Sequence, residues 1–172
     1  MQGPQESEAP ITIVEYDPTW PAQFETERQH LTTLLNPWLA GIIEHVGSTA
    51  VPGLVAKPVI DIMAPVESLL TSRPAIEALE ALQYCYSEYK PEEMHWFCKP
   101  SLQHRTHHLH LIPINSSLWL ERLAFRDALR SNEQLAGEYA ALKQELAQQH
   151  SQDREAYTVA KGPFIKKVLL AE

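Results

Sequence analysis

The spacing of the apolar residues changes character once along this chain, at Pro113, and that change limits what it can fold into. Ahead of Pro113, short apolar runs alternate with turn residues. Behind it, apolar residues recur at helical spacing to the end. Leu135, Tyr139, Leu142 and Leu146 stand 4, 3 and 4 apart, a stripe on one helix face. Leu118, Glu121 and Arg122 open an earlier helix, and Ile165, Val168 and Leu169 belong to a third. In the front part, strands are expected over 11–16, 42–46, 59–63, 83–90, 94–99 and 105–112. Helices are expected over 18–35 and 74–82. Pro18 suits a first helical turn, and Trp20, Phe24, Leu31, Leu34 and Leu35 supply a buried stripe. Strands and helices mixed in front, with helices gathered behind, predict α/β or α+β: a mixed sheet flanked by helices, with a C-terminal helical layer.

The 172 residues suffice for one domain with its own core, and 44% of them are apolar. Residues 1–10 are polar, hold Glu6 and Glu8, and read as a flexible tail before a domain over 11–172. No stretch approaches the roughly 20 apolar residues of a membrane span, and the start lacks a signal core, so a cytoplasmic protein is expected. Cys85 and Cys98 form no CxxC and are expected as free thiols. A net charge of −8 argues against general nucleic-acid binding. It leaves room for a locally basic pocket that takes a small molecule or a nucleotide. The cluster Lys161, Lys166 and Lys167 reads first as cations near the end of a C-terminal helix. The oligomeric state is not legible.

Two segments carry chemistry. In the first, a strand runs into Gly47-Ser48-Thr49, followed by Lys57 and then Asp61 inside an apolar strand. Glycine lets backbone amides approach a ligand, and the Ser48 and Thr49 hydroxyls add donors. Lys57 can neutralise phosphate, and Asp61 can bind a hard cation. The alternative is a tight turn, a solvated lysine and a capped acid. The second segment is Arg105-Thr106-His107-His108-Leu109-His110-Leu111-Ile112. Residues two apart on a strand share a face, so His108 and His110 point together and His107 points away. Twin imidazoles can hold a transition metal or move protons; paired structural histidines are the alternative. Arg105 stands at the strand's entrance, where it can clamp phosphate or carboxylate. The aromatic run Tyr84, Tyr86, Tyr89, Trp96 and Phe97 is expected in the sheet core. Lys161 precedes an expected helix break at Gly162-Pro163 and can reach back to the site.

Several of these pieces together resemble the GrpB family (the UPF0157 group), placed in the nucleotidyltransferase superfamily. They are Tyr16-Asp17-Pro18 with Trp20 and Phe24; His45 to Thr49 with Val51-Pro52-Gly53-Leu54; Lys57 to Ile62; and His108-Leu109-His110-Leu111. Further along come Phe125-Arg126-Asp127 with Leu129-Arg130, Tyr139 with Leu142-Lys143, and Arg154 to Tyr157 with Lys161. The resemblance implies a nucleotidyltransferase-like fold with a nucleotide pocket at the Gly-Ser turn. It also implies two Mg²⁺ ions held by acids two apart plus a third acid on a later strand. Around Asp61, however, positions 59 and 63 are Val and Met, and the later strand offers His108 or His110. Asp61 with His110 would suit Zn²⁺ or Mn²⁺ better than Mg²⁺, or the histidines act without metal.

Three functions follow. The first is nucleotidyl transfer from a nucleoside triphosphate to a small acceptor. Gly47, Ser48, Thr49, Lys57, Arg105 and Lys161 would hold phosphates, Asp61 a divalent metal, and His108 or His110 would act as general base. The second is a catalytically degenerate nucleotide-binding or folding-assistance module, which the missing acid partner favours. The third is a histidine-dependent phosphoesterase, against which stands Ile112 at the place of a third histidine.

Overall fold

The computed structural model describes residues 9–171. Of the expected N-terminal tail, only Ala9 and Pro10 fall among them. The sheet has five strands: β1 (Glu44–Val46), β2 (Ile60–Val66), β3 (Cys85–Ser87), β4 (His95–Pro100) and β5 (Arg105–Pro113), ordered β1-β2-β5-β4-β3. β2 and β5 run parallel and every other pair is antiparallel, so the sheet is mixed. Helix α1 (Trp20–Leu35) precedes the sheet strands, and α2 (Ala75–Ala78) with its 3-10 extension (Leu79–Leu82) lies between β2 and β3. After β5 come α3 (Ser117–Ser131), α4 (Glu133–Gln149) and α5 (Arg154–Leu170). Mixed α/β with a C-terminal helical layer is therefore the architecture.

Each back helix starts at a residue whose side chain accepts an otherwise orphaned backbone N–H. Ser116 takes that of Trp119, Asn132 that of Leu135 and Asp153 that of Ala156. The expected break at Gly162-Pro163 is corrected: α5 runs through Pro163. The ring removes one helical bond, to the carbonyl of Val159. Val159 is 68% exposed, so water can serve that carbonyl. Residues 11–16 likewise do not form the expected strand. Val14 makes one bridge, to Ala56, and no sheet strand runs alongside it. β2 runs past the expected end at Met63 to Val66, through Pro65. β1 has ended by that point, so the missing Pro65 N–H breaks no β1 rung. The strand expected over 83–90 shrinks to Cys85–Ser87.

Strand alternation then sorts the side chains. Ile60, Ile62, Ala64 and Val66 of β2, with Leu109 and Leu111 of β5 and Phe97 of β4, pack against Trp20, Leu31 and Leu35 of α1 and against Leu79. Full burial of each large side chain contributes roughly 1.5–3 kcal/mol. The opposite face carries Val46, Met63, Met94, Trp96, Cys98 and Ile112 under Trp119 of α3. Asp61, His108 and His110 belong to this second face by register, since Asp61 pairs with His108 and Met63 with His110. The face directed at the helical layer is thus the one that carries polar chemistry. Ile112 is fully buried, so the strand brings two imidazoles to that face. Cys85 and Cys98 are both free thiols. Among the described residues, no helix is long and apolar enough to cross a membrane.

Candidate functional site

The site begins where β1 ends. Val46 lies opposite Asp61 in the ladder, and Gly47 then turns with φ 72° and ψ −173°. That conformation is open essentially to glycine alone. Space demands glycine as well: a Cβ on Gly47 would meet Asp61 Oδ2 at 2.5 Å. The turn and the acid are therefore packed in contact. Ser48–Ala50 closes as a 3-10 turn.

Beyond Asp61 stand the histidines. His108 Nδ1 is 3.1 Å from Asp61 Oδ1, and His110 Nε2 is 3.7 Å from it. Burial would raise the Asp61 carboxyl, but hydrogen bonds and proximity to both rings hold it well below its ordinary value. An ionised carboxylate only accepts, so His108 donates through Nδ1. His108 Nε2 is buried and takes no hydrogen bond among the described residues. His110 is fixed from its other side. Arg122 on α3 donates Nη1–H to His110 Nδ1 at 2.9 Å. Arginine has no acceptor, so Nδ1 carries the lone pair and Nε2 carries the proton, directed at Asp61. Burial, helped by Arg122, pushes His110 down to about 3.

This arrangement bears on the expected metal. One oxygen of Asp61 and one nitrogen of each imidazole lie within 4.8 Å of one another, a spacing a divalent ion could span. The donor set fits only if His110 changes tautomer. To bind a cation, His110 Nε2 would have to lose its proton to Nδ1, which would then face the Arg122 guanidinium donor-to-donor. Arg122 thus opposes the expected use of Asp61 and His110 as joint metal ligands, while Met94 Sδ, 3.3 Å from Nδ1, is the acceptor that a proton moved to Nδ1 would meet.

Cations of the helical layer hold the rest. Arg126 donates to the His45 carbonyl (3.0 Å) and pairs with Glu44 (2.7 Å), Arg130 donates to the Ala50 carbonyl (2.8 Å), and Lys143 to the Val55 carbonyl. Three basic side chains thus clasp the backbone of the turn from outside. Lys57 and Lys161 both sit on the Tyr157 ring, 5.1 and 4.6 Å from its centroid, and Lys143 sits 5.0 Å from the Tyr139 centroid. Burial first, then neighbouring cations, pushes Lys143 and Lys161 down to about 7, and Asp61 opposes this in both. Ser48 lies near the Tyr139 hydroxyl, and burial pushes that hydroxyl up.

The expected residues therefore divide. Gly47, Ser48, Asp61, His108 and His110 converge, and Lys57 and Lys161 meet on one ring beside them. Thr49 is turned inward: it is 2% exposed, accepts from His45 Nε2 (2.9 Å) and donates to the Val59 carbonyl (3.3 Å). Arg105 lies apart from Asp61. Its Nε donates to the Leu102 carbonyl, and its guanidinium covers Trp96, which also lies against His108 and Tyr89. It shares with Lys57 a cavity of about 240 Å³ whose lining includes neither Asp61 nor the paired histidines. His107 points to the other face, as expected, beside Glu27. Sequence reasoning passed over Arg122, Tyr139 and Lys143 as site residues. A signal existed for each: Lys143 falls four after Tyr139 and three before Leu146, within the buried stripe. Arg122 likewise falls three after the buried Trp119.

Together the fold and these side chains define a mixed α/β protein with an acid–imidazole cluster on the sheet face that meets its C-terminal helices, and lysines of those helices beside it. The GrpB protein family matches residues 10–170, and the chain belongs to that family. A UPF0157 protein of Pseudomonas aeruginosa is 39% identical over 165 residues, covering 92% of this chain and 66% of its own length. The crystal structure of the conserved protein GrpB from Enterococcus faecalis matches with a TM-score of 0.83 at 35% identity, covering 93% of this chain and 96% of that one. A dephospho-CoA kinase of Mycolicibacterium paratuberculosis is 32% identical over 187 residues, covering 94% of this chain and 46% of the kinase.

Proposed function

We propose that this protein transfers a nucleotidyl group from a nucleoside triphosphate to a small acceptor, as a member of the nucleotidyltransferase superfamily. One observation carries the reading: the Gly47 turn, Asp61 and the two imidazoles are in contact, and the lysines of α4 and α5 lie within electrostatic reach of that acid. Gly47 and Ser48 receive phosphate oxygens at the turn. His108 Nε2 takes the proton of the acceptor hydroxyl or amine, while Asp61 holds the ring from Nδ1. The acceptor atom bonds to the α-phosphorus, and the bond to the leaving pyrophosphate breaks. Lys57, Lys143 and Lys161 meet the charge of that leaving group. A related segment within a protein named dephospho-CoA kinase supports a nucleotide-related role.

Thermal denaturation with ATP, GTP, CTP and UTP, each with and without divalent cations, tests the reading. A ligand at 100 times its Kd stabilises by about 2.7 kcal/mol, a shift of several degrees. Pyrophosphate release with a mixture of small alcohols and amines then reports turnover. No shift with any nucleotide would refute it. A nucleotide-binding module without turnover is the second reading. It is favoured by the residues two away from Asp61, Val59 and Met63, which are buried and apolar where acids would stand. Binding with no pyrophosphate release would select it.

A further inference from the structure

We propose that this cluster of cations beside the Gly47 turn takes an oligophosphate as a metal-free polyanion, with the ammonium groups of Lys57, Lys143 and Lys161 and the guanidinium of Arg122 in the role divalent cations hold in phosphoryl-transfer sites. This rests on the nucleotide reading above and specifies the form of its substrate.

Charge placement is the first support. The chain has a net charge of −8, yet it gathers cations here from three helices and a loop. Lys143 lies within electrostatic reach of Lys57 and Lys161; Lys161 lies within reach of Lys57 and Arg122. The one carboxylate acting on either lysine is Asp61, which is already engaged with His108 and His110. Crowding like charges at partly buried positions costs folding free energy. A bound polyanion repays that cost.

Preorganisation is the second. The Tyr157 ring carries both Lys57 and Lys161, and the Tyr139 ring carries Lys143. Lys143 is only 2% exposed, and its bond to the Val55 carbonyl ties the ammonium to the segment that follows the Gly47-Ser48 turn. The cations are held in place before any ligand arrives, which lowers the ordering cost of binding.

The third support is the poor fit of a metal. Arg122 favours the Nε2–H tautomer of His110, and Val59 and Met63 take the places of partner acids. Lysine and arginine supply positive charge with no need of either.

Isothermal titration of the full chain with sodium tripolyphosphate and with ATP, in EDTA and in excess MgCl₂, decides the matter. Binding is expected in EDTA, and excess Mg²⁺, which lowers the ligand's charge, is expected to weaken it several-fold. Raising the salt concentration should weaken it as well. Lys143→Met and Lys161→Met should each lose about tenfold or more in affinity. Methionine removes the charge from a crowded site, so Lys161→Met should unfold at or above the wild-type midpoint, while Lys143→Met also loses the bond to the Val55 carbonyl and its affinity is measured on the folded fraction. Binding that requires Mg²⁺ would overturn the metal-free form and leave nucleotide binding standing. Wild-type affinity in both methionine variants would overturn the assignment of the lysines. No binding of either ligand under either condition would overturn this proposal and the nucleotide reading together.

Discussion

Gly47→Ala is the sharpest perturbation of this site, because a single methyl group challenges two constraints at once. The backbone at φ 72°, ψ −173° is a region that side-chain-bearing residues avoid, at a cost of about 1–3 kcal/mol. The new Cβ would also sit 2.5 Å from Asp61 Oδ2 and 3.1 Å from Asp61 Cβ and Cγ. The nearest atom belongs to a side chain, but to a short one held by the imidazoles and rooted in a central strand. It has little freedom to retreat, and such overpacking costs about 1–3 kcal/mol. Together the two effects destabilise by about 2–6 kcal/mol, a fall in Tm of roughly 4–20 °C for a chain of this size. Displacing Asp61 also lengthens its 3.1 Å bond to His108, so ligand binding should fall further than stability alone explains. Thermal and urea denaturation of the variant, with oligophosphate titration of the fraction that remains folded, measures both effects. A variant that melts within about 1 °C of wild type, and binds as wild type does, would refute the contact between turn and acid.

Two further outcomes follow from buried charge. Burial pushes His45 down to about 4 and His110 to about 3, against 6.5 for a free imidazole. Between those values the unfolded chain binds more protons, so stability should fall as pH drops below 6.5, by about 1.4 kcal/mol per pH unit for each ring. On the alkaline side Lys143 and Lys161, pushed from 10.5 to about 7, make the unfolded chain the better proton binder again. Stability should therefore keep rising from pH 7 toward 10, until the tyrosines of the unfolded chain ionise. Urea midpoints from pH 5 to 9.5 check both limbs, and a maximum below pH 7 would contradict the second. On the far face, Glu27 accepts from Tyr84 (2.7 Å) and Lys99 (2.6 Å). Glu27→Ala should cost about 3–5 kcal/mol by stranding the lysine, with Glu27→Leu/Lys99→Met recovering most of it in denaturation measurements.

What could be read in the sequence, and what could not, follows from the range of each interaction. β5 was legible because alternation is local: His108 and His110 stand two apart, and Leu109 and Leu111 between and after them fix which face is core. The Gly47-to-Asp61 stretch was legible because its residue types are unusual for their setting, a lone acid in an apolar strand above all. Residues 83–90 were overread for the converse reason. Tyr84 and Tyr86 alternate as a strand does, but Gln83 takes a left-handed turn and Lys90 another, leaving room for only three residues of pairing. The Thr49 hydroxyl, two residues after Gly47, looks available in the sequence until its carbonyl partner, ten residues on, is known.

The larger gap lay in the helices. Basic residues on a helix are solvated by default, and the spacing that sets Arg122 beside Trp119 and Lys143 beside Tyr139 and Leu146 marks burial without saying what the cation meets. Their roles come from where α3 and α4 cross the sheet, a placement set by core contacts such as Trp119 on Ile112 and Tyr139 beside Val51 and Leu54. Once the helices are seated, the same packing that buries Trp119 carries Arg122 to His110 Nδ1, one turn along. The chemical consequence is large. Seen alone, β2 and β5 offer a carboxylate and two imidazoles and suggest a metal centre. With α3 in place, one imidazole has its tautomer biased, and the centre becomes a carboxylate that accepts an N–H from His108 and faces that of His110 among fixed cations. The helical layer therefore does more than cover the sheet: it decides which chemistry the strands can perform.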